Sequence, residues 1–178
     1  MDLGVISVRY ARALLKSATE LKQEDRVYQE MQVLSQSYLQ VEQLRFTIDN
    51  PMLQKDKKLQ LLETACGGDP CEQTKRFIAL VLKEDRESTL QFMAASYVSL
   101  YRKQKNITRG TLTTAVAVSP AIEQRMRKMV EGRTQGTVEF NTEVDPDIIG
   151  GFVLEYDTYR WDASVKTRLG QILVQLKK

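Results

Sequence analysis

Residues 5 to 66 contain no glycine, and neither do residues 69 to 109, whereas beyond Gly110 the apolar residues recur every second position. Long glycine-free stretches are a helical vocabulary, and a period of two belongs to half-buried strands. The switch predicts an α+β chain. An amino-terminal α-helical bundle occupies residues 1–105, and a small carboxy-terminal α/β domain with a short sheet and a terminal helix occupies residues 106–178. Between them "KQKNITRG" is polar and ends at Gly110, which reads as a hinge.

The first half predicts five helices. Ile6, Tyr10, Ala13, Leu14, Ala18 and Leu21 recur at three- and four-residue intervals and make one stripe. A second helix, from about Asp25, carries Val27, Met31, Leu34, Tyr38 and Val41. It is interrupted by "DNP" at 49–51, because proline lacks an amide donor and pushes Asn50 out of helical dihedrals. A third bears Leu59, Leu62 and Ala65 before "CGGDP". Asp69, Pro70 and Glu72 then read as an oxygen cap, a first-turn proline and an early acid, opening a helix with Phe77, Ile78, Val81 and Leu82 inward. Leu90, Met93, Tyr97, Leu100 and Tyr101 define the fifth.

In the second half, Leu112, Thr114, Val116 and Val118 point one way along a strand, and Val138, Phe140, Thr142 and Val144 do so along another. Ser119 and Pro120 start the helix between them, which carries Ile122, Met126, Met129 and Val130 and ends near Gly132. Gly150 and Gly151 precede a third strand, Phe152 to Tyr156. Paired glycines there permit a bulge, a positive φ or a close backbone approach. "DTYRWDAS" turns the chain back, and Asp162 can cap a terminal helix bearing Val165, Leu169, Ile172, Leu173 and Leu176. That helix can dock on its own sheet or on another helix; docking on its own domain is the favoured reading, and leftover surface can still meet a partner.

Several functions are disfavoured. The chain has no histidine, which removes the commonest acid/base group and neutral metal ligand. Catalysis would fall to carboxylates such as Asp145, Asp147, Asp157 and Asp162, and these sit where turns and caps want them. No glycine-rich phosphate loop is present, since no Lys-Ser or Lys-Thr follows the glycine pair. Cys66 and Cys71 flank a turn and can be bridged or stand as plain semi-buried thiols; two thiols alone make no zinc site. The net charge of +3 comes from 26 basic and 23 acidic residues spread along the chain. "YRKQKNITRG" at 101–110 and "RMRKM" at 125–129 keep a nucleic-acid-binding or other helical adaptor open as the alternative, although neither interleaves aromatic residues. The amino terminus lacks the pattern of a secretory signal, and no apolar run nears the roughly 18 to 20 residues that cross a bilayer. These features predict a soluble protein, bacterial in the absence of a transit segment, that meets a membrane only through a partner.

The order of elements and several strings resemble the delta subunit of F-type ATP synthases, the bacterial counterpart of the oligomycin sensitivity conferral protein. The resemblance covers nearly the whole chain. It rests on "RYARAL" at 9–14, "NP" at 50–51 followed by Lys57, and "LTTAVAVS" at 112–119. Most specific is "VDPDIIGGFVLEYD" at 144–157, followed by "DAS" and Leu169. The chain departs at "KEDRES", where Asp85 precedes Arg86 and the family often has asparagine.

The resemblance implies a non-catalytic stator subunit, without cofactor or metal, that links the catalytic head to the peripheral stalk so that proton-driven rotation couples to ATP synthesis. It implies a monomer within the complex, peripheral at the cytoplasmic face of the inner (plasma) membrane. The bundle is expected to grip the amino-terminal helix of an alpha subunit in a groove between its first and fifth helices. Tyr10, Ala11, Leu14 and Leu15, with Met93, Tyr97 and Leu100, then line or support that groove, or else serve the bundle core. The carboxy-terminal part is expected to engage the end of the b subunits. Gly150, Gly151 and Phe152 set its shape, Leu169, Ile172, Leu173 and Leu176 make a docking helix, and Lys166 and Arg168 face acidic residues at the rim.

Overall fold

The structure, a computed structural model, describes residues 3–134, 136–156 and 158–176; Asp157, one of the carboxylates named above, lies outside them. The chain divides into two compact units, Met1–Lys103 and Gln104–Lys178. The α+β reading holds.

The described residues of the first unit form six α-helices, α1 (Leu3–Glu20), α2 (Glu24–Gln40), α3 (Glu42–Asp49), α4 (Lys55–Ala65), α5 (Glu72–Lys83) and α6 (Leu90–Gln104), with a 3-10 turn at Glu87–Thr89. The additional helix arises because Val41 leaves helical geometry at φ −118°, ψ 87°. The chain redirects there so that Leu44 and Ile48 bury, while Val41 stays exposed. Apolar spacing is similar on both sides of the break, which is why periodicity reads through it.

The core of this unit takes Ala11, Leu14, Leu15 and Ala18 from α1, Met31 and Leu34 from α2, Ile78 and Val81 from α5, and Met93 and Tyr97 from α6. Two tyrosines tie α6 to the start of α2. Tyr97 donates to the Glu24 carbonyl at 3.2 Å, and Tyr101 donates to Asp25 Oδ1 at 2.6 Å while stacking on Tyr28 with ring centroids 4.2 Å apart.

Both ends of α5 are built by specific polar contacts. At its start Cys71, rather than Asp69, is the N-cap residue, and its amide donates to Glu30 Oε1 at 2.8 Å. Asp69 instead pairs with Lys75 at 3.1 Å. At its end the Arg86 amide donates to the Val81 carbonyl at 3.0 Å and the Asp85 amide to the Leu82 carbonyl at 3.4 Å, with Asp85 left-handed at φ 52°. This is a Schellman turn. Asparagine and aspartate tolerate the left-handed region better than other side-chain-bearing residues, so Asp85 suits the backbone of the position where the resemblance has asparagine. Lys55 holds its carboxylate at 2.6 Å.

The second unit is a four-stranded sheet in the order β2–β1–β3–β4, with β1 (Ile107–Thr114) parallel to β2 (Thr137–Val144) and the other pairs antiparallel. α7 (Pro120–Thr134) joins β1 to β2, β3 is Phe152–Tyr156, β4 is Tyr159–Asp162, and α8 is Val165–Leu176. Strand β1 begins inside the segment expected to be a hinge. Gly110 is a strand residue, where a Cβ would come within 2.8 Å of Phe140 Cε1. The strand also stops at Thr114 instead of reaching Val118, because the Thr114 hydroxyl turns to donate to the Val116 carbonyl at 2.9 Å. Helix α7 runs past Gly132, and β4 replaces what reads as a simple turn. Leu112, Val138, Leu154 and Tyr156 bury against Val130 of α7, with Met126 and Phe152 at the margin.

The glycine pair answers a backbone requirement. Gly151 is left-handed at φ 75°, and a Cβ on it would collide with the Ala163 carbonyl oxygen. That close approach lets the Ala163 amide donate to the Phe152 carbonyl and the Val165 amide to the Gly150 carbonyl, both at 2.9 Å. The entrance of β3 thereby fixes where α8 departs. Gly151→Ala is expected to destabilise the chain by about 2 kcal/mol or more, through both the φ and the collision. Gly132→Ala, in α7 with open space around the added methyl, is expected to stabilise it by about 0.5–1 kcal/mol. Urea unfolding followed by circular dichroism measures both.

Candidate functional site

Helix α1 carries more apolar surface than the core covers. Ala11, Leu14, Leu15 and Ala18 face inward, and Tyr10, Ala13 and Ser17 remain on the flank toward α5. Gln73, Arg76, Phe77 and Leu80 form the opposing wall of a cleft of about 200 Å³. Leu14 and Phe77 are nearly buried in its floor, while Leu80 is 47% exposed on its wall. Polar contacts bind the two ends. Ser17 Oγ donates to Gln73 Oε1 at 3.2 Å, and at the other end Arg86 Nη1 donates to the Tyr10 hydroxyl at 3.2 Å, its guanidinium carbon 5.4 Å from the ring centroid. On the other flank of α1 a second cleft, of about 500 Å³, is lined by Gly4, Ser7 and Val8 and by Phe92, Ala95, Ser96, Ser99 and Leu100 of α6.

Tyr10 and Leu14 therefore line the α1/α5 cleft, and Leu100 lines the α1/α6 cleft. Ala11, Leu15, Met93 and Tyr97 are core residues, with Ala11 and Tyr97 wholly enclosed. They can support a groove only from behind. The cleft residues of α5 were not anticipated, because the break at Val41 moves the fifth helix from Leu90–Tyr101 to Glu72–Lys83. Leu80 was the available signal, since it lies off the inward face made by Phe77, Ile78, Val81 and Leu82.

In the second unit α8 buries none of its residues. Leu169, Ile172, Leu173, Val174 and Leu176 are between 47% and 79% exposed. The favoured expectation, docking on its own domain, is met only at the margin: α7 already closes the sheet core with Val130, and α8 packs beside the turn Pro146–Ile148 and the Gly150 backbone without burying any of its residues. The start of α8 is firmly built. Ser164 is its cap, accepting the Thr167 amide at 3.2 Å, and the expected cap Asp162 buttresses it by accepting the Ser164 amide at 2.9 Å and the Thr167 hydroxyl at 2.8 Å. These hydrogen bonds, led by those from Ser164, hold the Asp162 carboxyl below its ordinary range. Phe152 is half-buried edge-on to Trp161 at 5.2 Å, and Lys166 and Arg168 are exposed near the start of the apolar stripe.

Asp145, one of the carboxylates considered for catalysis, accepts the Asp147 amide at 3.0 Å as a turn former. Cys66 and Cys71 are free, buried thiols. Among the described residues, no cluster of three His, Cys, Asp or Glu side chains could hold a metal ion, and no helix is long and apolar enough to cross a membrane.

The family described as ATP synthase delta (OSCP) subunit matches residues 6–176. The chain belongs to this family. It is 48% identical to ATP synthase subunit delta of Phocaeicola vulgatus over 98% of this chain and 95% of that relative. It is 44% identical to the subunit delta of Parabacteroides distasonis, over 97% and 96%. A chain in the cryo-EM structure of the Toxoplasma gondii mitochondrial ATP synthase hexamer shares the fold at a TM-score of 0.65 and 22% identity, over 97% of both chains. As a member of the delta (OSCP) family the chain is a stator subunit of ATP synthase, a membrane-associated complex, linking the catalytic head to the peripheral stalk.

Burial raises the titration of several groups in this delta-family bundle. Burial, and then the nearby Glu30 carboxylate, push the Cys66 thiol from its ordinary 9.0 up to about 12, and burial likewise raises the Tyr38 and Tyr97 phenols. Between pH 9 and 12 the unfolded thiol has released its proton while the folded one keeps it, so stability falls as pH rises through that window. The unfolding free energy from urea titrations is expected to decline from pH 9 to pH 11, with Cys66→Ala flattening the decline by about 1–2 kcal/mol. An equal decline in the variant would remove Cys66 from this account.

Proposed function

We propose that the α1/α5 cleft receives the amino-terminal helix of the alpha subunit, and that α8 takes the carboxy-terminal end of the b subunits. The observation that carries this reading is that each compact unit leaves apolar surface uncovered, in the first between α1 and α5 with polar ties at both ends, and in the second along α8. From Tyr10 to Ser17 the α1 wall spans about 10 Å, two turns of a partner helix with anchors at i, i+3 or i+4, and i+7. Covering each half-exposed Leu, Ile or Val of α8 contributes about 1 kcal/mol, enough in sum for a specific helix–helix attachment. Two modest attachments on one chain hold far more firmly than either alone when both can engage together.

In this reading the chain performs no reaction. It is a monomer in the complex and sits peripherally, at the cytoplasmic face of a bacterial inner membrane, where it meets lipid only through its partners. Of the "RMRKM" segment of α7, Arg125 and Lys128 are exposed, while Met126 packs at the margin of the sheet core and Arg127 pairs with Glu123 at 2.9 Å, so the basic residues form no continuous face.

Titration of the full chain tests the assignment, using a synthetic peptide of the alpha-subunit amino-terminal helix and a carboxy-terminal fragment of the b subunit. Leu80→Asp is expected to weaken the alpha peptide at least about tenfold and leave the b fragment unchanged, because it places a charge in an apolar wall. Leu173→Asp is expected to do the reverse. Wild-type affinity for the alpha peptide in Leu80→Asp would contradict the cleft assignment; wild-type affinity for the b fragment in Leu173→Asp would contradict the helix assignment.

A further inference from the structure

We propose that Arg86 is a positioning residue of the α1/α5 cleft: it fixes the side chain of Tyr10, and through Tyr10 the end wall against which a partner helix seats. This rests on the reading of that cleft as a helix-binding site.

The backbone of Arg86 is held from both sides. Its amide closes the Schellman turn on Val81, and its carbonyl accepts both the amide of Thr89, at 3.1 Å, and the hydroxyl of Thr89, at 2.8 Å. The residues around it are also anchored. Lys55 holds Asp85 at 2.6 Å, and the enclosed Lys58 holds Glu87 at 2.7 Å. So much fixed structure in a short connection between α5 and α6 delivers one free-standing group, the Arg86 guanidinium, to the ring of Tyr10.

Among the described residues Arg86 has no carboxylate partner, and the hydroxyl of Tyr10 is its one side-chain hydrogen-bond partner. A half-buried guanidinium without an anion interacts more strongly with an aromatic face than a fully hydrated one, and its planar fork can stack and donate to the same side chain. A tyrosine on a helix flank otherwise samples several staggered rotamers. Held by Arg86, the ring stands as a preformed wall, so a docking helix need not order it, and preorganisation of this kind raises affinity without adding a contact. Lysine cannot replace the planar part of this interaction.

The test uses the full chain, the alpha-subunit amino-terminal peptide, and ring-carbon-labelled tyrosine observed by NMR, with the Tyr10 signal assigned through Tyr10→Phe. Arg86→Ala is expected to weaken the peptide about five- to tenfold, and Arg86→Lys to restore only part of that loss. In a Tyr10→Ala background, Arg86→Ala is expected to have no further effect on binding, because the two residues act as one unit. The Tyr10 ring signal is expected to shift and average in Arg86→Ala without peptide. Wild-type affinity in Arg86→Ala, the same penalty in the Tyr10→Ala background, or an unmoved Tyr10 signal would each overturn the proposal. If the wild-type chain does not bind the peptide, the cleft reading fails, and the ring signal still decides whether Arg86 fixes Tyr10. If Arg86→Ala does not fold, Arg86→Lys carries the same comparisons.

Discussion

The first unit depends on a mismatch in α1, whose apolar arc is wider than a single core can enclose. The bundle closes over Ala11, Leu14, Leu15 and Ala18, and this choice leaves Tyr10, Ala13 and Ser17 on a flank with α5 as their neighbour. An amphipathic helix normally balances one buried stripe against a polar remainder. Here the surplus becomes a cleft, with an apolar middle and polar ties at both ends. The ties matter because they join α1 to the α5 region without filling the space between them, so the cleft belongs to the folded monomer.

The second unit reaches a comparable result by backbone geometry. Gly151 lets the chain at Ala163 lie against the entrance of β3, the Asp162–Ser164–Thr167 hydrogen bonds start α8 at that point, and α7 has already closed the sheet. The apolar side of α8 is left with nothing to cover it. A helix with five half-exposed or more exposed aliphatic residues is a liability in an isolated chain and an asset in an assembly. A subunit that links two parts of a complex needs such surfaces.

Much of this was legible in the sequence because it follows from local rules. The change of apolar period at Gly110 marked the change from helices to sheet, and "DIIGGFVLEYD" marked a strand whose entrance needs glycine. Where the structure departs from those local rules, the deciding interactions are non-local. Val41 breaks a helix that periodicity carries through, because Leu44 and Ile48 find burial only in a new direction. Cys71 displaces Asp69 as the start of α5 because Glu30, on another helix, is there to accept its amide. Strand β1 takes in part of a polar, hinge-like segment because β2 pairs with it from Ile107 onward. For the candidate site, Tyr10 and Leu14 were visible as stripe residues, but which side of the stripe would be core was not, and the miscounted helix hid Phe77 and Leu80.

In the proposed reading, two uncovered apolar surfaces on separate units engage two different partners independently. Hydrogen–deuterium exchange on the full chain tests it most directly, with the alpha-subunit peptide and the b-subunit fragment added singly. Slowed exchange is expected in α1 and α5 with the first, and in α8 with the second, each without the other. Protection of α8 by the alpha-subunit peptide, or of α1 and α5 by the b-subunit fragment, would contradict it.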